Sequence, residues 1–353
     1  MKIQERADFV IGVDTHKLSH TASVVALNGA ELATKTVPAD AFGYRRILAF
    51  AKERAPGERL WAIEGTGSFG GGLTTYLLEQ GEPVAEIDRP ARPARRNGAK
   101  SDELDATRAA REALSREFLA QPRRRGDREA IRVLLRTRQG AVNAKSRAIC
   151  HLKALVVTAP EQLRNHLRAL GTDELVQRCA RLRTAVHHDP EHRATVVAIR
   201  CTARRVLMLE AEANDLESHI EVLVKNLAPE LLQEPGVGAL TAAQVLCSWS
   251  HAGRLRSEAA FATMAGVAPL PASSGQVTRY RLNRCGDRHL NCALHTIVLS
   301  RLAHHEETRR YAARRLTEGK SDREIRRCLK RFLARRLFRL LEKLSPRPPL
   351  NPI

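Results

Sequence analysis

Apolar and polar residues follow two different periods along the N-terminal third of the chain. Short runs rich in apolar and β-branched residues predict strands, and they are Phe9–Val13, Thr21–Leu27, Glu31–Pro38, Arg59–Ile63 and Pro83–Ile87. Two stretches with helical spacing are Ala41–Glu53, expected to turn Phe42, Ile47, Leu48 and Phe50 inward, and Gly72–Glu79. The Asn28-Gly29 pair predicts a tight antiparallel hairpin between the second and third strands.

The order of these elements predicts the fold class. Three antiparallel strands followed by alternating helices and strands are typical of an α/β domain of the RNase-H-like kind. From residue 107 to 230 Tyr and Trp are absent, and Arg and Leu recur at helical spacing, which predicts long antiparallel helices that also support oligomerisation. We therefore expect an α/β domain over 1–120, a helical linker over 121–228, a mainly α domain over 229–345 and a disordered tail over 346–353.

The net charge of the chain indicates the kind of molecule that it binds. The 353 residues carry a formal net charge of +20, which favours a polyanion, although solubility or a basic tail accounts for part of it. The cysteines are scattered and form no Cys-x-x-Cys pair, so we expect reduced thiols in a cytoplasmic protein, with neither a zinc site nor a disulfide framework. No apolar run of about eighteen residues occurs, and this argues against a membrane span.

Four carboxylates stand at the ends of predicted elements. Asp14 follows the first strand directly, and Glu64 follows the strand Arg59–Ile63. Asp102 and Asp105 are three residues apart, so a helix places both on one face. An aspartate alone is more often a cap or turn residue. The set of four instead predicts a site for two Mg²⁺ ions roughly 3.5–4 Å apart, of the kind that promotes phosphoryl transfer.

Several segments are candidates for nucleic-acid contact. Arg95, Arg96 and Lys100 lie in a basic stretch just before the paired aspartates. Gly236 and Gly238 belong to Glu234-Pro-Gly-Val-Gly-Ala-Leu-Thr-Ala242, which has the form of a helix–hairpin–helix turn and equally that of an ordinary Gly-rich helix cap. The C-terminal helix is strongly basic, at Arg323, Arg326, Arg327, Lys330, Arg331, Arg335, Arg336 and Arg339, and has a predicted apolar face of Leu329, Phe332, Leu333, Leu337 and Leu340.

A second chemical candidate is the Pro/Gly-rich loop with two adjacent serines, Ser273 and Ser274. Such a loop is usually only a linker. Here three arginines follow closely, Arg279, Arg281 and Arg284, and a serine whose phosphate target is held by guanidinium groups suits a nucleophile.

These motifs, in this order, resemble the 110 family of bacterial insertion-sequence transposases. The resemblance runs over nearly the whole chain through Val-Asp-Thr-His-Lys, Ile-Glu-Gly-Thr-Gly, Lys-Ser-Asp-Glu-Leu-Asp-Ala, Pro-Gly-Val-Gly, Ser-Ser-Gly and Asn-Arg-Cys-Gly-Asp-Arg-His-Leu. One departure is Leu290-Asn291, where the family usually has Leu-Arg.

The resemblance implies an N-terminal RuvC-like domain with a DEDD tetrad, here Asp14, Glu64, Asp102 and Asp105. It implies a coiled helical linker and a C-terminal domain with a catalytic serine, which maps to Ser274, with Ser273 as the neighbouring candidate. The expected activity is Mg²⁺-dependent cutting and rejoining of DNA at the ends and target of an insertion sequence. The expected partners are DNA, a structured non-coding guide RNA and further copies of the chain, as a dimer or tetramer.

Two other functions explain part of the sequence. A RuvC-like nuclease that only hydrolyses DNA needs the tetrad but not Ser274. An actin-like sugar kinase would use the Gly65–Gly72 segment as a phosphate loop, and it leaves Asp102, Asp105 and the basic tail unexplained. A DNA-binding protein without catalysis is the remaining alternative, and it would not depend on the tetrad.

Overall fold

The computed structural model describes residues 7–87, 101–123, 125–183, 189–272, 280–281, 283 and 286–344. Within these ranges the chain divides into two units. The first comprises Met1–Arg124, Ser250–Ser257 and Leu341–Ile353, and the second comprises Arg125–Trp249 and Glu258–Leu340. The division into domains at 120, 228 and 345 stays a prediction, and the tail predicted over 346–353 lies outside the described residues.

A mixed five-stranded sheet forms the centre of the first unit. Its strands are β1 (Phe9–Thr15), β2 (Ser19–Ala26), β3 (Glu31–Pro38), β4 (Arg59–Glu64) and β5 (Val84–Ile87). The spatial order is β3-β2-β1-β4-β5, with β1, β2 and β3 antiparallel and with β4 and β5 parallel to β1. This confirms the predicted antiparallel hairpins and the α/β character of the N-terminal region.

The turn between β2 and β3 is longer than the predicted two residues. It spans 27–30, where the Asn28 side chain accepts a hydrogen bond from the Ala30 N–H and Gly29 has a φ of +84°. The register also shifts between Val24 and Val25, so an irregular pairing absorbs the extra residues.

Helices cover both faces of this sheet. On one face, α1 (Ala41–Arg54) and α2 (Gly71–Glu79) pack against Ile11, Val13, Trp61 and Ile63 of the strands. The predicted inward position of Phe42 is wrong, because its side chain is 57% exposed and lies under the guanidinium of Arg46; the other three predicted residues of α1, namely Ile47, Leu48 and Phe50, are buried.

The opposite face of the sheet is covered by α3 (Asp102–Ser115). Its buried positions are small residues, Ala106, Thr107, Ala109, Ala110 and Ala113, which allow a close approach to the strands. The Thr107 hydroxyl lies 2.8 Å from the buried Ser23 hydroxyl of β2 and donates to Glu31 of β3, so polar contacts also fix this helix to the sheet.

The second unit is helical apart from a short two-stranded sheet, as predicted for residues 107–230. The remaining helices, in chain order, are α4 (Asp127–Thr158), α5 (Glu161–Leu167), α6 (Thr172–Ala180), α7 (Pro190–Leu227), α8 (Pro229–Gln233), α9 (Ala239–Trp249), α10 (Glu258–Met264), α11 (Arg288–His304), α12 (Glu306–Thr317) and α13 (Asp322–Leu344). The two longest, α4 and α7, pack along each other and are linked by ion pairs such as Arg138–Glu217 and Lys145–Glu210. Strands β6 (Leu270–Pro271) and β7 (Tyr280–Arg281) pair antiparallel.

The helix α13 is part of the core rather than a detached basic tail. Leu333 and Leu337 are buried, as predicted. Phe332 is 50% exposed and packs edge-on against Tyr311, so its assignment to the apolar face is wrong. Among the described residues, no helix combines the length and apolar character needed to cross a membrane.

Candidate active site

The first two predicted carboxylates belong to neighbouring strands at one edge of the sheet. Strands β1 and β4 are parallel and pair in register as far as Val13 and Ile63, so Asp14 and Glu64 follow at matching positions. Side chains alternate along a strand. Since Ile11, Val13, Trp61 and Ile63 face α1 and α2, Asp14 and Glu64 belong to the opposite face, which α3 covers.

A glycine brings α3 close enough to complete the site. A Cβ atom added to Gly12 would lie 1.9 Å from the backbone oxygen of Ala106 and 2.6 Å from the nitrogen of Ala110. Only a residue without a side chain fits between β1 and α3 at this point. Because Ala106 begins the second turn of α3, this contact places the acidic first turn of the helix next to Asp14.

The helix start is built to carry negative charge. Ser101 caps α3, and its hydroxyl accepts a hydrogen bond from the Leu104 N–H. The first turn contains Asp102, Glu103 and Asp105, and the partial positive charge at a helix N-terminus stabilises carboxylates there. Asp105 also accepts a 2.7 Å hydrogen bond from Arg108.

Asp14 and Asp102 converge on a histidine that the sequence motifs did not assign to the site. His16 Nε2 lies 3.1 Å from Asp14 Oδ2 and 3.3 Å from Asp102 Oδ1. One ligand atom from each of these residues lies within 4.8 Å of the others, a spacing that suits a shared metal ion. Glu64 and Asp105 are not members of this tight group. Asp-x-His at the end of a buried strand was the signal in the sequence.

The electrostatics of the site favour a cation. Burial raises the pKa of the Asp14 carboxyl, the nearby charges of Asp102 and Asp105 raise it further, and His16 partly opposes this. The charged form of Asp14 is therefore disfavoured in the protein without metal. A divalent ion would relieve both the desolvation and the repulsion, so the donor set fits a metal of the kind that carboxylates bind.

Other predicted site residues are not brought to this edge by any described contact. Ser273, Ser274, Arg95, Arg96, Lys100, Arg279 and Arg284 lie outside the described residues. Arg281 is described, and it is an exposed residue of β7 paired with Leu270. Their roles stay predictions.

The glycine-rich turn at Gly236 has a structural explanation. Gly236 has a φ of +75°, and a Cβ there would lie 3.1 Å from the backbone oxygen of Ile297 in α11. Arg301 of α11 donates to the carbonyl oxygen of Pro235 and to the carboxylate of Glu234. Gly238 has open space around it, and its N–H donates to the hydroxyl of Thr241. The turn is thus fastened to α11, and its contact with nucleic acid remains a prediction.

The basic residues of α13 fall into two groups. In its second half Arg335 and Arg339 pair with Glu258, and Arg336 pairs with Glu234. In its first half Arg323, Arg326 and Arg327 form no ion pair with another described residue. Burial lowers the pKa of Lys330, and the charge of Arg327 lowers it further. Among the described residues, the arginines of α13 that have no ion-pair partner therefore lie in its first half.

Two family models match this chain. A DEDD transposase family model of the IS110 group, described as "Transposase", matches residues 11–159, which contain all four carboxylates. A second, described as "Transposase IS116/IS110/IS902 family", matches residues 228–313. No curated protein matches the chain.

The two matches define the class of protein as an insertion-sequence transposase, an enzyme that cuts and rejoins DNA. Both belong to one family and together cover most of the chain. The chain is thus a member of the IS110 family of transposases.

Proposed function

We propose that the chain is an RNA-guided DNA recombinase that cuts and rejoins strands with two Mg²⁺ ions and a serine nucleophile. The metal ligands are Asp14, Glu64, Asp102 and Asp105 on an RNase-H-like, RuvC-like domain. Ser274 attacks the DNA. The protein acts as a dimer or tetramer in the cytoplasm, with DNA and a structured guide RNA as partners.

The observation that carries the proposal is the convergence of Asp14 and Asp102 on one point. They come from a strand end and a helix start that lie 88 residues apart in the sequence, and the close contact at Gly12 brings those elements together. The strand order β3-β2-β1-β4-β5 supports the RNase-H-like assignment, since it combines an antiparallel meander with parallel strands on the far side of β1.

His16 adds a nitrogen donor to the oxygen donors of the proposed tetrad. Its Nε2 atom already lies within hydrogen-bonding distance of both aspartates. When bound, Mg²⁺ supplies charge stabilisation to a phosphate and lowers the pKa of an attacking hydroxyl. An imidazole ligand shifts the preference of a carboxylate site towards softer divalent ions. We expect Mn²⁺ to bind more tightly than Mg²⁺ for this reason.

Ser274 accounts for rejoining without an external energy source. Its Oγ would attack phosphorus, form a phosphoserine ester with one strand end, and release a deoxyribose hydroxyl on the other. The serine proton passes to solvent or a nearby base. Attack by a new strand hydroxyl on the ester restores a phosphodiester and frees the serine. Water in place of serine would lose the bond energy, and the protein would then be a hydrolytic nuclease.

The tetrad is tested by conservative substitution. Asp14→Asn and Asp105→Asn should reduce Mg²⁺-dependent strand cleavage by at least about 10³-fold, because each removes a charge that holds the metal. Binding of DNA or RNA should survive, since one charge in a chain of net charge +20 changes little. Undiminished cleavage by either variant would contradict the proposal.

The serine is tested separately with a nicked suicide substrate that traps the covalent ester. The wild-type chain should form a protein–DNA adduct and Ser274→Ala should form none. Loss of the adduct in Ser273→Ala alone would move the nucleophile to that residue. An adduct unaffected by both changes, or cleavage without any adduct, favours the hydrolytic nuclease.

A further inference from the structure

One exposed aromatic side chain differs from the other exposed aromatic side chains among the described residues. Four phenylalanines among the described residues are at least half exposed, namely Phe42, Phe69, Phe118 and Phe332. Three of them have a partner for the ring: Arg46 lies over Phe42, Arg256 over Phe118, and Tyr311 packs against Phe332. Phe69 is the most exposed, at 59%, and no described residue makes a ring contact with it.

The loop that carries Phe69 begins at the candidate active site. It follows Glu64 directly and ends at the start of α2. The N–H groups on both sides of Phe69, those of Ser68 and Gly70, donate to the carbonyl oxygen of Gly65 at 2.8 and 3.2 Å. Phe69 is therefore held in a tight turn and does not swing on a long loop.

The same turn is fixed to the strand that carries Asp14. The Thr15 hydroxyl donates to the Glu64 carbonyl oxygen at 2.9 Å. A Cβ on Gly70 would lie 3.1 Å from the Thr15 methyl carbon and 3.0 Å from Ile63, so the turn packs against the ends of both β1 and β4, on the side of the sheet that α1 and α2 cover. The sheet edge thus presents carboxylates and, from the next turn, an open aromatic ring.

Two further large apolar side chains are exposed around this edge. Leu18, in the turn after Asp14, is 79% exposed, and Leu104, between Asp102 and Asp105, is 42% exposed. Each of the three segments that supply the carboxylates therefore also exposes one large apolar side chain. Exposed apolar side chains beside carboxylates that are proposed to bind a metal suit a ligand with both charged and apolar parts, such as a nucleotide.

We propose that Phe69 stacks on a nucleobase of the DNA strand whose phosphate occupies the acidic edge. A single-stranded or locally unpaired nucleotide offers this combination of a phosphate and a flat apolar face. Stacking on an aromatic side chain tolerates any base, and removing such a contact weakens binding by about ten-fold, equivalent to about 1.4 kcal/mol. The inference rests on the proposed function, because it takes a DNA strand as the substrate of this edge.

The test uses photochemical cross-linking to locate the base. The full chain is incubated with Ca²⁺ and a pool of single-stranded oligodeoxynucleotides in which 5-iododeoxyuridine replaces thymidine, then irradiated and analysed by peptide mass spectrometry. We expect a cross-link at Phe69 that Phe69→Ala reduces at least ten-fold and that Phe69→Trp preserves. Phe42→Ala is the matched control, because Phe42 has almost the same exposure, 57%, in the same unit. Thermal unfolding should be unchanged in all three variants, since neither ring is in the core.

The outcomes separate this inference from the proposed function. An unchanged cross-linking pattern in Phe69→Ala, or equal labelling at Phe42, overturns the stacking role. Loss of self-association in Phe69→Ala, with no cross-link at Phe69 in the wild type, assigns the ring to a contact between copies and also overturns it. A cross-link at Phe69 in a chain that never cleaves DNA supports stacking and contradicts the proposed function. DNA cleavage by a chain that forms no cross-link at Phe69 supports the proposed function and contradicts the stacking role.

Discussion

The acidic edge of the sheet and the basic helix α13 carry opposite charges, and the two regions differ in how those charges are paired. At the edge, like charges are brought together, and burial and the neighbouring aspartates raise the pKa of Asp14. In the second half of α13 opposite charges are matched, since Arg335, Arg336 and Arg339 have glutamate partners. The first arrangement costs stability and so needs a functional explanation, whereas the second is explained by packing.

This contrast shows that the number of charges is a weaker guide to function than their pairing. The sequence presents α13 as an eight-cation surface for nucleic acid. In the structure, part of that surface is paired with glutamates of the same unit. The acidic edge presents fewer charges, and burial together with like-charge repulsion raises the pKa of Asp14 there.

The largest effect should come from breaking the close approach that assembles the acidic edge. Gly12→Ala places a Cβ 1.9 Å from a backbone oxygen of α3, which cannot move without displacing the helix. We expect a loss of about 3 kcal/mol or more in unfolding free energy, together with loss of cleavage. Urea unfolding and a cleavage assay measure the two effects.

The control for this change is Gly140→Ala in α4, where a Cβ would meet no atom within 4 Å. It should stabilise the chain by up to about 1 kcal/mol, because alanine is the better helix former. A Gly12→Ala variant as stable as the wild type would show that α3 is not packed on β1 in this way.

Among the ion pairs of the second unit, breaking the one at Glu234 should cause the largest loss of stability. Its carboxylate is 10% exposed and pairs at 3.0 Å with Arg301, which is 12% exposed. Glu234→Gln leaves that guanidinium buried without a counter-charge, and we expect a loss of about 3 kcal/mol in unfolding free energy. Glu221→Gln is the control: its pair with Lys225 is exposed on α7, and its loss should cost no more than about 0.5 kcal/mol. Equal effects would mean that the Glu234 pair is not structural.

The two halves of α13 should respond to charge removal in different ways. Arg326→Gln with Arg327→Gln should weaken nucleic-acid binding and lower the slope of log affinity against log salt by about 0.9 for each phosphate that the variant no longer neutralises. Arg335→Gln with Arg339→Gln should leave the slope unchanged and cost at most about 1 kcal/mol of stability per pair. Identical slopes for both double variants would remove the distinction between the halves.

The smallest effect should come from the free-energy cost of ionising Asp14 at the acidic edge. Because the pKa of Asp14 is raised on folding, its ionisation destabilises the metal-free protein; this cost is absent below the unfolded-state pKa and complete above the folded-state pKa. Asp14→Asn should therefore raise the melting temperature of the metal-free protein at neutral pH, by on the order of a few degrees. At a pH below the unfolded-state pKa of aspartate the gain should vanish, and a gain that persists there would have another origin.

Local patterns in the sequence were enough to predict the elements and their carboxylates. An apolar run followed by a carboxylate is visible within ten residues, so Asp14 and Glu64 could be predicted to lie near the ends of β1 and β4. The spacing of Asp102 and Asp105 also predicted that a helix would place both on one face, whereas the start of α3 at Asp102 was seen only in the structure. The family resemblance, which the family models confirm, rests on these same local motifs.

What could not be predicted depends on contacts between distant residues. No sequence feature near Gly12 indicates that the helix containing Ala106, ninety-four positions later, packs against it. The role of Glu234 depends on Arg301, which lies 67 residues away. Phe42 and Phe332 have the spacing of core residues, yet both are at least half exposed, with ring contacts to Arg46 and Tyr311. His16 was visible beside Asp14, but its contact with Asp102 needed the structure.

The central claim is that the acidic edge binds a divalent metal ion. The most direct measurement is electron paramagnetic resonance of Mn²⁺ added to the purified chain, with the nitrogen coupling resolved. We expect one or two bound ions, a nitrogen coupling that His16→Gln removes, and much weaker binding in Asp14→Asn and Asp102→Asn. Mn²⁺ binding that is equally tight in wild type, Asp14→Asn and Asp102→Asn would contradict the claim.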